Sequence, residues 1–286
     1  MLLYNQTTSL DKTTTQKILI EFLKEDTPKG DPTTEIIISK NEIGQYVLRS
    51  RETMVFCGGP IIENAFSKSI SIKLLITDGT KIKPNTDIAT ITGNIREILT
   101  KERLVLNMIQ HLSGISTNTA QYVSKLNNPT IKILDTRKTT PGLRLFEKYA
   151  VYKGGGFNHR QNLSSGIMVK DNHIINSDME DVCNKLKKSK KSIPLQIEID
   201  TIKQIIPQNV KIVDAFLLDN MLPQNIKKCI AKIDKLKEPS QKIFIEISGG
   251  ITLKTILKYN IDGVDGISIG ALTHQSRSVD IGLDIY

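Results

Sequence analysis

The second half of the chain contains a series of short apolar runs, each of which ends in polar, charged or glycine residues. Successive run ends are 33, 28, 21, 29 and 22 positions apart, at Arg137, Lys170, Glu198, Asp219, Ser248 and Gly270. Intervals of this length accommodate a strand, a helix and their loops, so the pattern predicts repeated βα units with right-handed crossovers. Because parallel strands present their carboxyl ends on one side, we expect these residues at one mouth of an α/β barrel.

We expect the barrel to be incomplete. About 180 residues follow position 104, whereas a complete eight-stranded barrel typically takes about 250 residues. An apolar stripe that starts at Thr100 predicts a helix at the junction, ending at Ser113-Gly114. The predicted domains are therefore an α/β domain at 1–104 and an α/β-barrel domain at 105–286, with the C-terminal tail packed back on the first domain.

The first hundred residues predict a helix followed by an antiparallel sheet. Apolar residues recur at helical spacing between Thr14 and Leu23, and Pro28 prevents this helix from continuing. Apolar runs bounded by turn residues predict strands at 36–38, 46–48 and 72–76.

The stretch from Asp135 to His173 is rich in cations around a run of three glycines. Its basic residues are Arg137, Lys138, Arg144, Lys148, Lys153, His159, Arg160, Lys170 and His173. Guanidinium groups bind carboxylates and phosphates through two parallel hydrogen bonds, so the segment predicts a site for small polyanions. His159 is a candidate for binding a carboxylate or moving a proton, and Arg103 is a further candidate for gripping a carboxylate.

Carboxylates and glycines end the remaining runs. Glu198 and Asp219 could accept hydrogen bonds from sugar hydroxyls, hold Mg²⁺ or stabilise a developing positive charge. Ser248-Gly249-Gly250 and Gly270-Ala271 end the last two runs, where barrels of this kind commonly hold phosphate on backbone N–H groups. This combination favours phosphoribosyl transfer to an acidic acceptor over hydrolysis, and no GxSxG or Walker motif is present.

Composition narrows the possible partners. The formal net charge of +9 is compatible with nucleic acid, membrane surfaces or anionic substrates. Aromatic residues make up 5% of the chain, and no nucleic-acid-binding signature is present. No apolar segment approaches the roughly 20 residues that span a bilayer. The three cysteines lack a CxxC pair, which indicates a reducing compartment and no zinc site. We therefore expect a cytoplasmic protein without nucleic-acid or membrane partners.

Six ordered motifs resemble the quinolinate phosphoribosyltransferase family. They are DTRKTTPGLR from Asp135, EKYAV from Glu147, GGGFNHR from Gly154, KDNH from Lys170, SGG from Ser248 and GALTH from Gly270. The similarity extends to EDTPKGDPTT from Glu25 and ERLVLNMIQHLSGIST from Glu102, so it covers nearly the whole chain. It implies an N-terminal α/β sandwich and an incomplete, about seven-stranded α/β barrel. Gln196 departs from the family pattern, which has the first acid of a Glu-x-Glu strand there.

The resemblance also implies an activity and a set of roles. The protein would transfer phosphoribose from phosphoribosyl pyrophosphate to quinolinate with loss of CO₂, using Mg²⁺. The quinolinate carboxylates and the pyrophosphate would be contacted by Arg103, Thr136, Arg137, Lys138, His159, Arg160 and Lys170. Glu198 and Asp219 would face the ribose and Mg²⁺, and the 5′-phosphate would be held by Ser248, Gly249, Gly250, Gly270 and Ala271. The residues with catalytic roles would be Lys138, Lys170, Glu198 and Asp219.

The resemblance further implies a homodimer or larger homo-oligomer with shared active sites. The N-terminal domain of one subunit would cap the barrel of its partner and supply Arg103. Two alternatives stay open. A paralogous family associated with molybdenum transport shares the fold, although the DTRK, NHR and KDNH motifs favour quinolinate. A basic nucleic-acid-binding protein with this fold would instead bind generic DNA with steep salt dependence and no turnover.

Overall fold

The computed structural model describes residues 2–174, 178–189 and 192–286. They form two compact units, each assembled from segments that are separate in sequence. The described residues of unit 1 fall within Met1–Gln6, Gln121–Thr140 and Gly156–His274, and unit 2 comprises Thr7–Ala120, Pro141–Gly155 and Gln275–Tyr286. None of the described helices has the length and apolar character needed to cross a bilayer.

Unit 2 is built on an antiparallel sheet, as predicted. Its strands are β1 (Ile43–Ser50), β2 (Met54–Val55), β3 (Ser71–Leu74), β4 (Lys81–Ile82), β5 (Asp87–Asn94) and β12 (Ile281–Ile285). Four of them form a sheet in the order β12-β1-β5-β3, while β2 pairs with β4. The C-terminal strand β12 lies antiparallel to β1, with Ser50 opposite Ile281. The tail from Gln275 therefore belongs to the same unit as the N-terminal strands.

Five helices lie before residue 154 in the described chain, and the first of them is the helix predicted between Thr14 and Leu23. They are α1 (Lys12–Asp26), α2 (Pro32–Ile37), α3 (Gly59–Ala65), α4 (Ile95–Leu126) and α5 (Arg144–Lys153). Helix α1 includes the whole predicted range and continues to Asp26, two residues before Pro28.

The predicted strand at 36–38 is wrong. Ile36 and Ile37 are the last two residues of α2, and Ile38 follows the helix. Helix α2 begins at Pro32, and Asp31 caps it by accepting a hydrogen bond from the Thr34 amide (3.1 Å). Ile36 and Ile37 are 83% and 71% exposed. An apolar run that lies outside the core gave a misleading strand signal.

The predicted end of the junction helix at Ser113-Gly114 is also wrong, because α4 continues to Leu126. Ser113 Oγ accepts a hydrogen bond from the Cys57 amide (2.9 Å) and donates one to the Cys57 carbonyl (3.1 Å). A Cβ on Gly114 would lie 2.1 Å from the Arg277 carbonyl oxygen. Both small residues therefore serve close packing within unit 2. The domain boundary at residue 104 stays a prediction.

Unit 1 contains the predicted series of parallel strands. They are β6 (Lys132–Leu134), β7 (Ile167–Val169), β8 (Leu195–Ile199), β9 (Ala215–Asp219), β10 (Phe244–Ser248) and β11 (Gly266–Ser268). The described helices between and after them include α6 (Met179–Lys188), α7 (Pro207–Val210), α8 (Pro223–Leu236) and α9 (Ala271–His274). The strand order is β6-β11-β10-β9-β8-β7, and every pairing is parallel. The fold class, a barrel-like α/β domain, is confirmed.

The described part of this sheet has six strands, where about seven were expected. Next to β6, Phe157 makes a single parallel bridge with Leu134. Its amide donates to the Ile133 carbonyl (2.8 Å), and its carbonyl accepts from the Asp135 amide (3.0 Å). This segment pairs through one residue only, so it extends the sheet by a single bridge and does not form a seventh strand.

Candidate active site

The parallel strands of unit 1 bring the predicted run ends to one edge of the sheet. Lys170 follows β7, Glu198 lies near the end of β8, and Asp219 and Ser248 are the last residues of β9 and β10. Ser248 pairs with Asp219, and Gly270 follows β11 by two positions. The carboxyl ends of neighbouring parallel strands therefore share this edge, which is where such sheets bind ligands.

Asp135 joins two of the cationic motifs. This fully buried carboxylate accepts a hydrogen bond from the His159 amide (2.8 Å) and another from the Asn158 side-chain amide (2.8 Å). Asp135 comes directly before Thr136 and Arg137. The loop after β6 and the segment that carries His159 and Arg160 are consequently held against each other by one acid.

Arg137 and Arg160 are two cations that act on each other, and neither forms an ion pair with a described acidic residue. Arg137 Nε is buried and has no hydrogen-bond partner among the described residues. Arg160 is 6% exposed and donates from Nη1 to the Gly166 carbonyl (2.8 Å). Burial lowers the pKa of Arg160, and the positive charge of Arg137 lowers this pKa further. A buried and a half-buried guanidinium, one with a buried and unused donor atom, favour an anion beside them.

His159 is 6% exposed, and both of its ring nitrogens face protein groups. Nδ1 lies 2.7 Å from the Arg160 amide nitrogen, and since a backbone N–H only donates, Nδ1 is the acceptor. Nε2 lies 3.1 Å from Gln196 Oε1 and 3.4 Å from Glu246 Oε2. This geometry favours the tautomer with its proton on Nε2 and a role in supporting Arg160. Direct contact between His159 and a substrate stays a prediction.

Gln196 and Glu246 complete a buried polar network that was not predicted as part of the site. Gln196 Nε2 donates to Glu246 Oε2 at 2.8 Å, and the two residues are 0% and 1% exposed. Burial opposes ionisation of Glu246, yet electrostatic attraction to His159, together with hydrogen bonds from His159, Ser268 and Gln196, holds its pKa below the ordinary value. Polar residues inside apolar strands were the available sequence signal, since both interrupt otherwise apolar runs.

The carboxylates at the strand ends converge. Carboxylate oxygens of Glu198, Asp200 and Asp219 lie within 4.8 Å of one another. Burial raises the pKa of Glu198, the ion pair with Lys170 lowers it, and the neighbouring Asp219 and Asp200 raise it. Asp200 was not predicted, although its spacing of two from Glu198 at a strand end places both on one face. Oxygen ligands of this kind suit a hard divalent cation such as Mg²⁺.

The Ser248-Gly249-Gly250 corner exposes backbone N–H groups at the same edge. Gly249 and Gly250 have φ angles of +97° and +59°, and within the described chain their amides donate no hydrogen bond. Ser248 Oγ donates to Asp219, which also accepts from the Asn220 side-chain amide (2.6 Å). The corner thus combines free backbone donors with a fixed carboxylate.

Gly270 lies close to the loop that follows β6. A Cβ on Gly270 would meet both Lys138 Cδ and His274 Nε2 at 3.0 Å. Thr273 Oγ1 donates to the Lys138 carbonyl (2.6 Å), and the Lys138 amide donates to Thr136 Oγ1 (3.0 Å). The start of α9, where Ala271 lies, and the Lys138 loop are therefore fixed together.

A pocket of about 400 Å³ lies beside Arg160. It is lined by Arg160, Leu163, Ser164, Gly166, Ile167, Met168, His173 and Ile193. It runs along the edge strand β7, from Gly166 before the strand to His173 after it.

Some predicted cations lie in unit 2. Arg103 is exposed on α4, and Arg144, Lys148 and Lys153 lie on α5. The cationic stretch is therefore divided between the units, because the segment Pro141–Gly155, which contains α5, belongs to unit 2. Its remaining basic residues lie in unit 1 with the strand ends.

Comparisons with known proteins cover nearly the whole chain. Residues 31–113 match the model of the quinolinate phosphoribosyl transferase N-terminal domain, and residues 115–284 match that of its C-terminal domain. A probable nicotinate-nucleotide pyrophosphorylase (carboxylating) from Bacillus subtilis (strain 168) is 38% identical over 275 residues, covering 94% of this chain and 93% of that protein. Its counterpart from Methanocaldococcus jannaschii is 36% identical over 274 residues, covering 94% and 96%.

A solved structure shows the same relationship. The crystal structure of NadC from Streptococcus pyogenes has a TM-score of 0.89 to this chain at 34% sequence identity, covering 98% of this chain and 99% of that one. Both matched domains, the sequence identity and the shared fold lead to one conclusion. The chain belongs to the quinolinate phosphoribosyltransferase family.

Proposed function

We propose that this protein is a pentosyltransferase that transfers phosphoribose from phosphoribosyl pyrophosphate to the ring nitrogen of quinolinate. The products are nicotinate mononucleotide, pyrophosphate and CO₂, which places the reaction in NAD biosynthesis. The observation that carries the acceptor assignment is the buried, unused Nε donor of the half-buried Arg137, whose positive charge acts on the buried Arg160. A dicarboxylate such as quinolinate would supply the negative charge that the described protein groups do not.

The donor would occupy the opposite part of the strand-end edge. Free amides at Gly249 and Gly250, with the Gly270-Ala271 turn, support binding of the 5′-phosphate. Glu198 and Asp219 would face the ribose, while the cations for the pyrophosphate would be Lys138 and Lys170. Thr136 would donate a hydrogen bond near the acceptor carboxylates.

The chemistry requires positioning and electrostatics more than proton transfer. The quinolinate nitrogen attacks the anomeric carbon as the bond to pyrophosphate breaks, and positive charge grows on the ribose. The carboxylates of Glu198 and Asp219 would stabilise that charge, and Lys138 and Lys170 would stabilise the departing anion. The bond between the ring and the adjacent carboxylate then breaks, CO₂ departs, and the electron pair left on the ring carbon is stabilised by the quaternised nitrogen until that carbon takes up a proton from water.

We propose that the reaction uses Mg²⁺, which would be held mainly by the pyrophosphate of the donor. The convergence of Glu198, Asp200 and Asp219 fits a hard cation, although Glu198 is already paired with Lys170. When bound, Mg²⁺ would neutralise charge on the leaving pyrophosphate. Asp200 and Asp219 are the better candidates for contacting it.

We also propose a homodimer or larger homo-oligomer, in which Arg103 of one subunit completes the site of its partner. The exposed guanidinium on α4 and the exposed Ile36 and Ile37 on α2 support an interface on unit 2. Sedimentation or mass photometry tests the assembly. We place the protein in the cytoplasm, which its free buried cysteines support.

The decisive test is incubation with quinolinate, phosphoribosyl pyrophosphate and Mg²⁺, following nicotinate mononucleotide by chromatography and labelled CO₂ by trapping. Nicotinate serves as the control acceptor, since it lacks the second carboxylate. Turnover of quinolinate alone is expected. Turnover of nicotinate with none of quinolinate would overturn the acceptor assignment. Salt-sensitive DNA binding without turnover would support the nucleic-acid alternative.

A further inference from the structure

An N-terminal segment, residues 2–6, belongs to unit 1 although it has no regular secondary structure. Leu3 packs on a cluster formed by Leu134, Ala215 and Phe244. The segment is therefore held by side-chain contacts, and its polar side chains point to a purpose beyond apolar burial.

Gln6 clamps the backbone of Asn158. Its Oε1 accepts a hydrogen bond from the Asn158 amide (2.6 Å), and its Nε2 donates to the Asn158 carbonyl (3.1 Å). Nε2 also donates to the Tyr4 carbonyl (2.8 Å), which fixes the plane of the Gln6 amide. One side chain thus satisfies both backbone groups of the residue directly before His159 and Arg160, as a paired strand would.

Tyr4 contacts two groups that hold Arg160. Its ring lies on the His159 ring, with centroids 4.7 Å apart and planes inclined by 35°, and His159 Nδ1 accepts from the Arg160 amide. A Cβ on Gly166 would lie 2.7 Å from Tyr4 Cε1, and the Gly166 carbonyl accepts from Arg160 Nη1. The Tyr4 hydroxyl donates to Gln196 Oε1 at 3.3 Å, and burial raises its pKa, so it stays a donor.

Repulsion between Arg137 and Arg160 gives this support a purpose. The positive charge of Arg137 acts on the Arg160 guanidinium and like charges repel, so a restraint on Arg160 would keep the acceptor geometry formed before binding. Asp135 supplies that restraint on one side of Asn158 and His159. The N-terminal segment supplies it on the other.

We infer that Tyr4 and Gln6 are positioning residues, which preorganise Arg160 for the carboxylates of the acceptor. The inference rests on the proposed function, because it needs Arg160 at the acceptor site. Neither residue is expected to touch a substrate. Their loss should therefore weaken quinolinate binding and leave binding of phosphoribosyl pyrophosphate nearly unchanged.

The test uses the full chain with Gln6→Ala and Tyr4→Leu. We expect KM for quinolinate to rise about five- to tenfold, since each variant removes contacts worth about one decade in affinity at most. KM for phosphoribosyl pyrophosphate should stay within about twofold of the wild type on the same reasoning. Tyr4→Phe keeps the ring contact and should restore near-normal KM for quinolinate. Asn5→Ala, at an exposed position of the same segment, is the matched control.

The outcomes separate the two proposals. A wild-type protein that does not turn over quinolinate removes the proposed function itself. An active wild type with unchanged quinolinate KM in both variants, or with equal changes in both KM values, overturns the positioning role. If Gln6→Ala does not fold, Gln6→Glu replaces it, because it keeps the acceptor for the Asn158 amide. A larger rise in its KM for quinolinate than in its KM for phosphoribosyl pyrophosphate supports the positioning role, and equal changes overturn it.

Discussion

At the scale of single residues, the site is defined by groups whose partners are missing or shared. Arg137 has a buried donor without a partner in the described protein, while Asp135 serves two residues at once. The motif residues could be predicted because charge at the end of an apolar run is visible in sequence. Gln196 and Glu246 were missed as site residues because their importance lies in contacts across the sheet, which one sequence does not display.

Arg137→Ala should raise KM for quinolinate by about 10- to 100-fold, because each charge-assisted hydrogen bond is worth about 1.5 to 3 kcal/mol. The melting temperature should not fall, since the change removes an unsatisfied buried donor and relieves repulsion with Arg160. Steady-state kinetics and thermal unfolding measure both. Arg137→Lys keeps the positive charge but loses the paired hydrogen bonds of a guanidinium group. Its KM for quinolinate should therefore lie between those of the wild type and Arg137→Ala. Unchanged KM in Arg137→Ala would remove this residue from the acceptor site.

Glu246 should make the fold sensitive to acid. Its pKa in the folded state lies below the ordinary value, which is near 4.3 in the unfolded chain. The stabilisation is therefore fully present above that pH and is lost as the pH falls through the folded pKa. We expect Glu246→Gln to lose less of its stability than the wild type between about pH 5 and pH 3. Urea unfolding at several pH values measures this, and identical pH profiles would contradict it.

At the scale of elements, sequence patterns predicted the secondary structure correctly where an element is buried along its whole length. The parallel strands of unit 1 are buried apolar runs with polar ends, and these were predicted. The strand prediction failed at α2, where the Asp31 cap and Pro32 in the first turn start a helix that includes the exposed apolar residues. The predicted helix end failed at α4, where Ser113 and Gly114 allow close packing inside a continuing helix. Glycine as a helix terminator and glycine as a close contact look the same in one sequence.

The glycine corner after β10 offers a matched pair of variants. Gly249→Ala should destabilise the protein more than Gly250→Ala, because its Cβ would lie 2.1 Å from Asn220 Oδ1 and its φ is +97°. At Gly250 the space is open and φ is +59°, so only the left-handed backbone cost of about 1 to 2 kcal/mol applies. Chemical denaturation compares the two. Equal destabilisation would show that the contact with Asn220 relaxes freely.

At the scale of the whole molecule, the sequence predicted two folded parts and their classes, and the segments that make them up are interleaved. Residues 141–155 and 275–286 join unit 2, while 2–6 join unit 1. Local periodicity specifies which element forms. Which unit an element joins depends on contacts between residues far apart in sequence, such as β1 with β12.

All three cysteines should be unreactive in the folded protein. Cys57, Cys183 and Cys229 are free, each is 0% exposed, and burial raises the pKa of each thiol. Ellman's reagent should label none of them rapidly in buffer and three per chain in guanidinium. Rapid labelling of one thiol without denaturant would show that its part of the fold opens easily.

The position of β12 at the edge of the unit 2 sheet also orders events during synthesis. Its partner β1 leaves the ribosome more than 200 residues earlier, since Ser50 pairs with Ile281. Until residues 281–285 emerge, β1 has one open side and the tail cannot close it. The last strand of the unit 1 sheet, β11, ends at Ser268, 13 residues before β12 begins. The barrel-like unit 1 can therefore complete its sheet first. The sheet of unit 2 is completed last, although its N-terminal strands are synthesised first.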